Sequence, residues 1–271
     1  LVKDVDKMSI IDADQWDRQR RVAGWSQNAV ESASCAVLGA GALGNEVVKN
    51  LVQLGVREIS VVDFDTVVAA NLNRCVFFTH EDARLKRNKA RAVAREALRI
   101  NPSAKIIPVE KRVEELEEGF FSKHAFVFSC LDNLGARLHA NALCYGNSVM
   151  IDGGTTGFSG KVQVSVSPGP CLECAISRQD YNLMWKKYSC TGEMLEFVDP
   201  KMPAIATTTS VIAAVQANEF VKLAHKRQSG DERAFAFPAL DLTGRYLFYN
   251  GLTGESKVFK LDKRANCPVH A

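Results

Sequence analysis

The chain has 271 residues, 46% of them hydrophobic and 24% charged, an ordinary globular composition that suffices for one large domain or two small ones. A net charge of +3 carried by mixed signs gives no reason to expect nucleic acid as a partner. No apolar run approaches the roughly 20 residues of a membrane span. The opening "LVKDVDKMSIIDADQWDRQRR" lacks the apolar core of a signal peptide. The expectation is a cytoplasmic protein with reduced thiols and no membrane partner.

Residues 11–30 read as one helix or two short ones, with Trp16 and Trp25 as apolar anchors. "SCAVLGAGALGNEVVKNLVQLGV" reads as strand, glycine turn and helix, closed by Gly55. Its strand is a short continuous apolar run, as in a buried parallel sheet. "EISVVDFD" is the second strand. "ARLKRNKARAVAREALRINP" predicts a single basic amphipathic helix stopped at Asn101-Pro102. "AKIIPVEKRV" and "HAFVFSCLDN" are strands three and four, a helix runs from about Leu134 to Gly146, and "SVMIDGG" is strand five. Alternating strands and helices predict an α/β fold, a Rossmann-like doubly wound and mostly parallel sheet.

Past Gly153 the pattern changes. "KVQVSVSPG" alternates with period two, which predicts antiparallel pairing. Residues 175–203 show no clear period and read as a long loop, of a length that is usually functional or disordered. "TTTSVIAAVQANEFVKLAHKR" is a helix with threonine caps at its start and basic residues at its end. "RYLFYNGLTGESKVFKLDKR" reads as a hairpin turning at Thr253-Gly254.

Gly39, Gly41 and Gly44 form GxGxxG between a strand and a helix, where backbone amides and a helix N-terminus can meet phosphate. Asp63, 19 residues past Gly44, is placed to accept from ribose hydroxyls. Asp65 is either a further ligand group or the cap of the turn into "TVVAANLNR". Asn71, Asn73 and Arg74 in that turn suit a polyphosphate better than a nicotinamide cofactor. Lys89, at the start of a helix, adds a point charge. Asp132, after the fourth strand, is a carboxylate of the type that holds magnesium beside phosphates. Together they indicate a nucleoside triphosphate.

The eight cysteines separate by context. Cys35, Cys130 and Cys144 lie in or beside apolar elements and read as small buried hydrophobes; Cys75 is ambiguous. Cys171 and Cys174 form CxxC, and Cys267 and His270 form a second pair about a hundred residues later. One CxxC alone could be a redox motif. Two such pairs favour a closed structural zinc site tying the C-terminal tail to the second half of the fold.

"DRQRRVAGW", "GAGALG", "VVDFD", "NLNR", "RINP" and "CLDN", in this order, resemble the ThiF/MoeB-type adenylating domain. Ubiquitin-activating enzymes and bacterial sulfur-carrier adenylyltransferases share that domain. The resemblance covers nearly the whole chain. It implies one adenylation domain over residues 1–271: a helical arm at 1–30, a nucleotide-binding half at 31–153, and a half at 154–271 with crossover loop, zinc knuckle and substrate surface. It implies an ATP and Mg2+ site made by Gly39, Gly41, Gly44, Asp63, Asn71, Arg74, Lys89 and Asp132. Arg18 matches the arginine that reaches a neighbouring subunit's phosphates, which implies a homodimer. Relatives usually carry a second CxxC, so His270 is a departure that keeps a zinc-competent ligand.

In ubiquitin-activating enzymes the crossover segment carries a catalytic cysteine, often as Cys-Thr; here it is Cys190-Thr191. Lys186 and Lys187 would favour its thiolate. The resemblance therefore implies adenylation of the C-terminal glycine of a small Gly-Gly-ended ubiquitin-like protein, then a thioester on Cys190 and transfer to a conjugating enzyme. These residues hold neither an inserted catalytic-cysteine domain nor a ubiquitin-fold domain, which leads us to expect a compact, archaeal-type or bacterial-type enzyme. The alternatives are a sulfur-carrier adenylyltransferase of molybdopterin or thiamine synthesis that stops at the adenylate, and an inactive scaffold or heterodimer partner.

Overall fold

A computed structural model describes residues 14–177, 203–229 and 241–270. The helices are α1 (Asp17–Arg20), α2 (Gln27–Glu31), α3 (Ala42–Leu54), α4 (His80–Arg84), α5 (Lys89–Ile100), α6 (Glu118–Ser122), α7 (Leu134–Cys144) and α8 (Ala206–Ser229). The strands are β1 (Ser34–Leu38), β2 (Glu58–Val62), β3 (Lys105–Val109), β4 (Phe126–Ser129), β5 (Val149–Thr156), β6 (Ser159–Ser165), β7 (Arg245–Asn250) and β8 (Glu255–Lys260). All eight strands form one sheet in the order β3-β2-β1-β4-β5-β6-β7-β8. Pairing is parallel from β3 through β5 and antiparallel from β5 through β8. The mostly parallel sheet with antiparallel C-terminal strands is the one expected from the change of period after Gly153.

Successive side chains of β1 point to opposite faces. Cys35 and Val37 pack with α3, α5 and α8, whereas Ala36 and Leu38 pack with α6 and α7. Both faces are covered, which matches the apolar runs Cys35–Leu38 of β1 and Phe126–Phe128 of β4. Phe220 of α8 anchors one layer, with ring centroids 5.0 Å from Phe126 and 5.8 Å from Phe128. Each such buried ring contributes roughly 2–3 kcal/mol of transfer free energy.

The N-terminal arm docks on the end of α3. Trp16 Nε1 donates to the Gln53 carbonyl at 3.1 Å, and Trp25 packs tilted against His225 of α8, ring centroids 5.2 Å apart. Gly55 ends α3 in the left-handed region. A side chain there would also strike Trp16 and Gln27.

One element departs from expectation. The basic run 83–102 is not a single helix: α4 ends at Arg84, Lys86 takes a left-handed φ of 47°, and α5 starts at Lys89. Asn88 breaks the run by capping α5, its Oδ1 accepting from the Arg91 amide at 3.1 Å. Its Nδ2 donates to the carbonyls of Asp63 at 2.9 Å and Asp65 at 3.2 Å.

Among the described residues no helix is long and apolar enough to cross a membrane.

Candidate functional site

The strand order reverses direction about β1, whose neighbours are β2 and β4. In open α/β sheets ligands bind beyond the carboxyl ends of the strands at such a point. A cavity of about 620 Å³ opens there, within the range of small-molecule sites.

The three glycines of its rim do different things. Gly39 has φ +92°, and a Cβ there would lie 2.8 Å from the Cys130 carbonyl oxygen. At Gly44 a Cβ would lie 1.8 Å from the Gly39 carbonyl oxygen, so the start of α3 packs directly on the turn. At Gly41 a Cβ would meet nothing within 4 Å. The fold leaves that space open in front of the N-terminus of α3, on the cavity wall. Backbone amides at a helix N-terminus attract anions.

Asp63 follows β2 and braces this turn. Its carboxylate accepts from the Ala40 amide at 2.7 Å and the Asp65 amide at 2.8 Å. Burial raises its pKa, opposed by Lys89 and the two amides. Lys89 Nζ is 2.8 Å from Asp65 Oδ2. Lys89 lines the cavity, whereas the exposed Lys86 does not. The Asn71 side chain is buried and accepts from the Val68 amide at 3.1 Å. Arg74 donates to the Ala70 carbonyl and, at 2.9 Å, to Asn73. Asp132, exposed, also lines the cavity, one residue before Asn133 caps α7. The cavity thus gathers Gly39, Gly41, Asp63, Asp65, Asn71, Arg74, Lys89 and Asp132. Gly44 acts from behind, by packing. Arg18 is on α1, outside this chain's own cavity. Cys190, with Lys186 and Lys187, lies outside the described residues.

Three groups were not anticipated from sequence. Asn88 holds the Asp63–Asp65 turn to the start of α5 and so places Lys89; an asparagine before a helical period was the available signal. Arg137 of α7 lines the cavity and pairs with Asp152 of β5 through Nε, at 2.9 Å, and Nη2. Burial pulls the guanidinium pKa down, but the Asp152 charge outweighs it and the pKa is raised. Gly154 lies beside the Arg137 guanidinium, where a Cβ would sit 3.4 Å from its terminal nitrogens, an ordinary contact. Beyond Arg137 the cavity continues along Thr155, Thr156, Lys161 and Phe248 of the antiparallel strands.

A second cluster lies apart from the cavity wall. Cys171, Cys174, Cys267 and His270 offer four ligand atoms, all within 4.8 Å of one another. Cys171 Sγ is 3.9 Å from Cys174 Sγ and 3.6 Å from Cys267 Sγ, and Cys174 Sγ is 3.1 Å from His270 Nε2. A tetrahedral ion with Zn–S bonds of about 2.3 Å separates its sulfurs by about 3.8 Å, so the donor set is compatible with zinc. The Arg264 amide donates to Cys174 Sγ at 3.4 Å. Burial opposes the Cys174 thiolate, but this bond and its neighbours lower the pKa. The other thiols among the described residues are core fillers or close to it: burial raises Cys35, Cys130, Cys144 (to about 12) and Cys75 (to about 11).

The sequence profile of the ThiF family matches residues 14–269. The molybdopterin-synthase adenylyltransferase of Salmonella typhimurium is 30% identical over 249 residues, covering 90% of this chain and 89% of that protein. The SUMO-activating enzyme subunit 2 of Dictyostelium discoideum is 35% identical over 150 residues, 54% of this chain and 22% of that one. The Nedd8-activating enzyme E1 catalytic subunit of Drosophila melanogaster is 26% identical over 305 residues, 85% of this chain and 64% of that one. The chain therefore spans less than two thirds of these activating-enzyme relatives. The crystal structure of E. coli MccB with ATP has the same fold, with a TM-score of 0.73 at 18% identity over 96% of this chain and 75% of that one. The chain belongs to the ThiF family.

Proposed function

We propose that this ThiF-family chain uses ATP to adenylate the C-terminal carboxylate of a small ubiquitin-like or sulfur-carrier protein ending in Gly-Gly. The observation that carries the reading is the grouping, around one cavity, of the open Gly41 face at the N-terminus of α3, the cations Arg74 and Lys89, and the carboxylate Asp132. A dehydrogenase has no use for that second set.

In this reading the α3 N-terminus and the glycine turn hold phosphate, Asp63 accepts from the ribose while bracing the turn, and Asn71 keeps Arg74 in register. Asp132 would hold magnesium, which would supply neutralisation of phosphate charge. A carboxylate oxygen of the protein substrate forms a bond to the α-phosphorus as the bond to the bridging oxygen breaks, and pyrophosphate leaves. Arg74, Lys89 and Arg18 of the partner subunit in a homodimer offset the negative charge that develops. Arg137 and Lys161 mark the far end of the cavity, where the tail would enter over β5 and β6. The Cys171, Cys174, Cys267 and His270 set would hold structural zinc.

A second stage follows from Cys190. Its thiolate attacks the acyl carbon, the bond to AMP breaks, and a thioester remains, with the thiol proton lost to solvent. Transfer to a conjugating enzyme would follow. A second reading stops at the adenylate. It is favoured by extent, since the chain spans 89% of the Salmonella adenylyltransferase but far less of the activating subunits.

The test is a gel assay of the chain with ATP, magnesium and a Gly-Gly-ended ubiquitin-like protein from the same genome. An adduct removed by thiol reductant and lost in Cys190→Ala supports the two-stage reading. Pyrophosphate release without an adduct assigns the chain to the adenylate-only class. Failure to bind ATP would instead support an inactive scaffold.

A further inference from the structure

Two of the cations on the cavity wall are paired with carboxylates, and the pairs differ in kind. Lys89 meets Asp65, whose side chain is 50% exposed, so solvent can take over that carboxylate when phosphate claims the lysine. Arg137 meets Asp152, whose side chain is 1% exposed and whose two oxygens are both taken, by Nε at 2.9 Å and by Nη2. Releasing Arg137 would strand a buried charge, which is strongly unfavourable. The guanidinium is therefore pinned in place, and its charge is already balanced.

A guanidinium carries five N–H donors, and Asp152 engages only Nε and Nη2. Arg137 Nη1 has no hydrogen-bond partner among the described residues. The side chain is 19% exposed and lines the cavity, with its terminal nitrogens beside Gly154 of the same wall. A fixed donor of balanced charge suits a neutral acceptor. An anion at this point would face the Asp152 carboxylate as well as the guanidinium, and the two would largely offset each other. A peptide carbonyl meets no such opposition.

Position narrows the acceptor further. Asn133 caps α7, and its carbonyl accepts from the Arg137 amide at 3.1 Å. Arg137 thus stands one turn, about 5.4 Å, along α7 from the end where Asp132 lies. An extended chain advances about 3.4 Å per residue. A tail whose terminal carboxylate reacts beside Asp132 brings the carbonyls of its last residues to the level of Arg137.

We propose that Arg137 Nη1 donates to the last peptide carbonyl of the substrate tail, the one joining the penultimate residue to the terminal glycine, and that Asp152 is the positioning residue that holds the guanidinium for it. The inference rests on the adenylation reading above. It gives the Arg137–Asp152 pair a chemical purpose. An unpaired arginine would form a strong bidentate bond with the terminal carboxylate and blunt the nucleophile. A balanced arginine registers the tail by its backbone and leaves the carboxylate free to attack.

The experiment measures magnesium-dependent exchange of pyrophosphate into ATP by the full chain. The substrate is a semisynthetic Gly-Gly-ended ubiquitin-like protein whose last peptide bond is either the ordinary amide or a thioamide, whose sulfur is a poor acceptor. With the wild type, the thioamide is expected to raise KM for the protein about tenfold, the size of one hydrogen bond, and to leave KM for ATP unchanged. Arg137→Met alone would strand Asp152, so it is combined with Asp152→Asn. In that variant KM for the ordinary tail is expected to rise about tenfold, with no further penalty from the thioamide. A packing role would leave the thioamide penalty intact. Equal penalties in the two chains would overturn the proposal. So would a wild type indifferent to the thioamide, a result that requires no variant to fold. Exchange that is absent with the ordinary tail, in a chain that binds ATP, would overturn the adenylation reading and the proposal with it. Exchange with the ordinary tail upholds that reading, whichever way the thioamide comparison falls.

Discussion

Around the cavity the chemistry sits on side chains that solvent reaches. Asp132 and Asp65 are exposed and Arg74 is half-buried, while the Lys89 side chain is 13% exposed and held against Asp65. In the four-ligand cluster Cys171 and Cys267 are fully buried, Asn141 and Gln163 hold the backbone between Cys171 and Leu172, and the Arg264 amide already donates to Cys174 Sγ. On the proposed reading polyphosphate and a protein tail enter and leave this site, which suits carboxylates that solvent still reaches, as at Asp65 and Asp132. A structural site gains from ligands fixed in advance. The two regions are joined by α7, which carries Arg137 toward one and Asn141 toward the other.

The sharpest way to break this contrast is at Asp132. Asp132→Ala should lower ATP–pyrophosphate exchange by about 10²–10³-fold while melting like the wild type, since an exposed carboxylate contributes little to the fold. A parallel loss of stability would mean that the cavity is built like the knuckle.

Next come the glycines. Gly44→Ala should cost roughly 3 kcal/mol or more in denaturant unfolding, because its Cβ would lie 1.8 Å from a backbone oxygen. Gly41→Ser should change stability by only about 0.5 kcal/mol, yet weaken ATP binding about tenfold, measured by calorimetry. If Gly41→Ser binds ATP normally, the open face is not a phosphate seat.

Metal removal should act on the other region. Chelation, or Cys267→Ser, is expected to lower Tm by about 5–10 °C, as a loss of ~2–4 kcal/mol would. ATP affinity should change little. A collapse of ATP binding on chelation would show the two regions to be one cooperative unit.

The smallest effect concerns pH. Burial lowers the pKa of His225, whose Nε2 accepts from the Ser26 amide at 2.8 Å, and of His124, which bonds Ser60. A histidine held neutral adds stability that is fully present above its unfolded pKa of about 6.5. That stability is lost as pH falls from there through the lowered folded value. Tm should therefore drop between pH 7.5 and 5.5 by more in the wild type than in His225→Gln. Equal drops would remove His225 from the account.

Much of this was legible in sequence because it is local. GxGxxG between an apolar run and a helical period fixes its own geometry, and a continuous apolar β1 can only be covered on both faces. The two short cysteine and histidine pairs announce their chemistry by spacing. Arg137 and Asp152 gave no such sign. Each looks like an ordinary charge on its own element, and only the packing of α7 against β5 brings them together. The break at Asn88 was hidden because the basic run on both sides has high helix propensity, while the contacts that decide it come from the Asp63–Asp65 turn. Asn141 was invisible for the same reason: its partners lie 24 and 31 residues away.

The central claim is carboxylate adenylation, and isotope exchange between labelled pyrophosphate and ATP tests it most directly. The account predicts exchange that requires magnesium and a Gly-Gly-ended ubiquitin-like protein with a free C-terminus, and that disappears in Asp132→Ala. Exchange that is absent with every such protein of the genome, in a chain that binds ATP and is correctly folded, would contradict it.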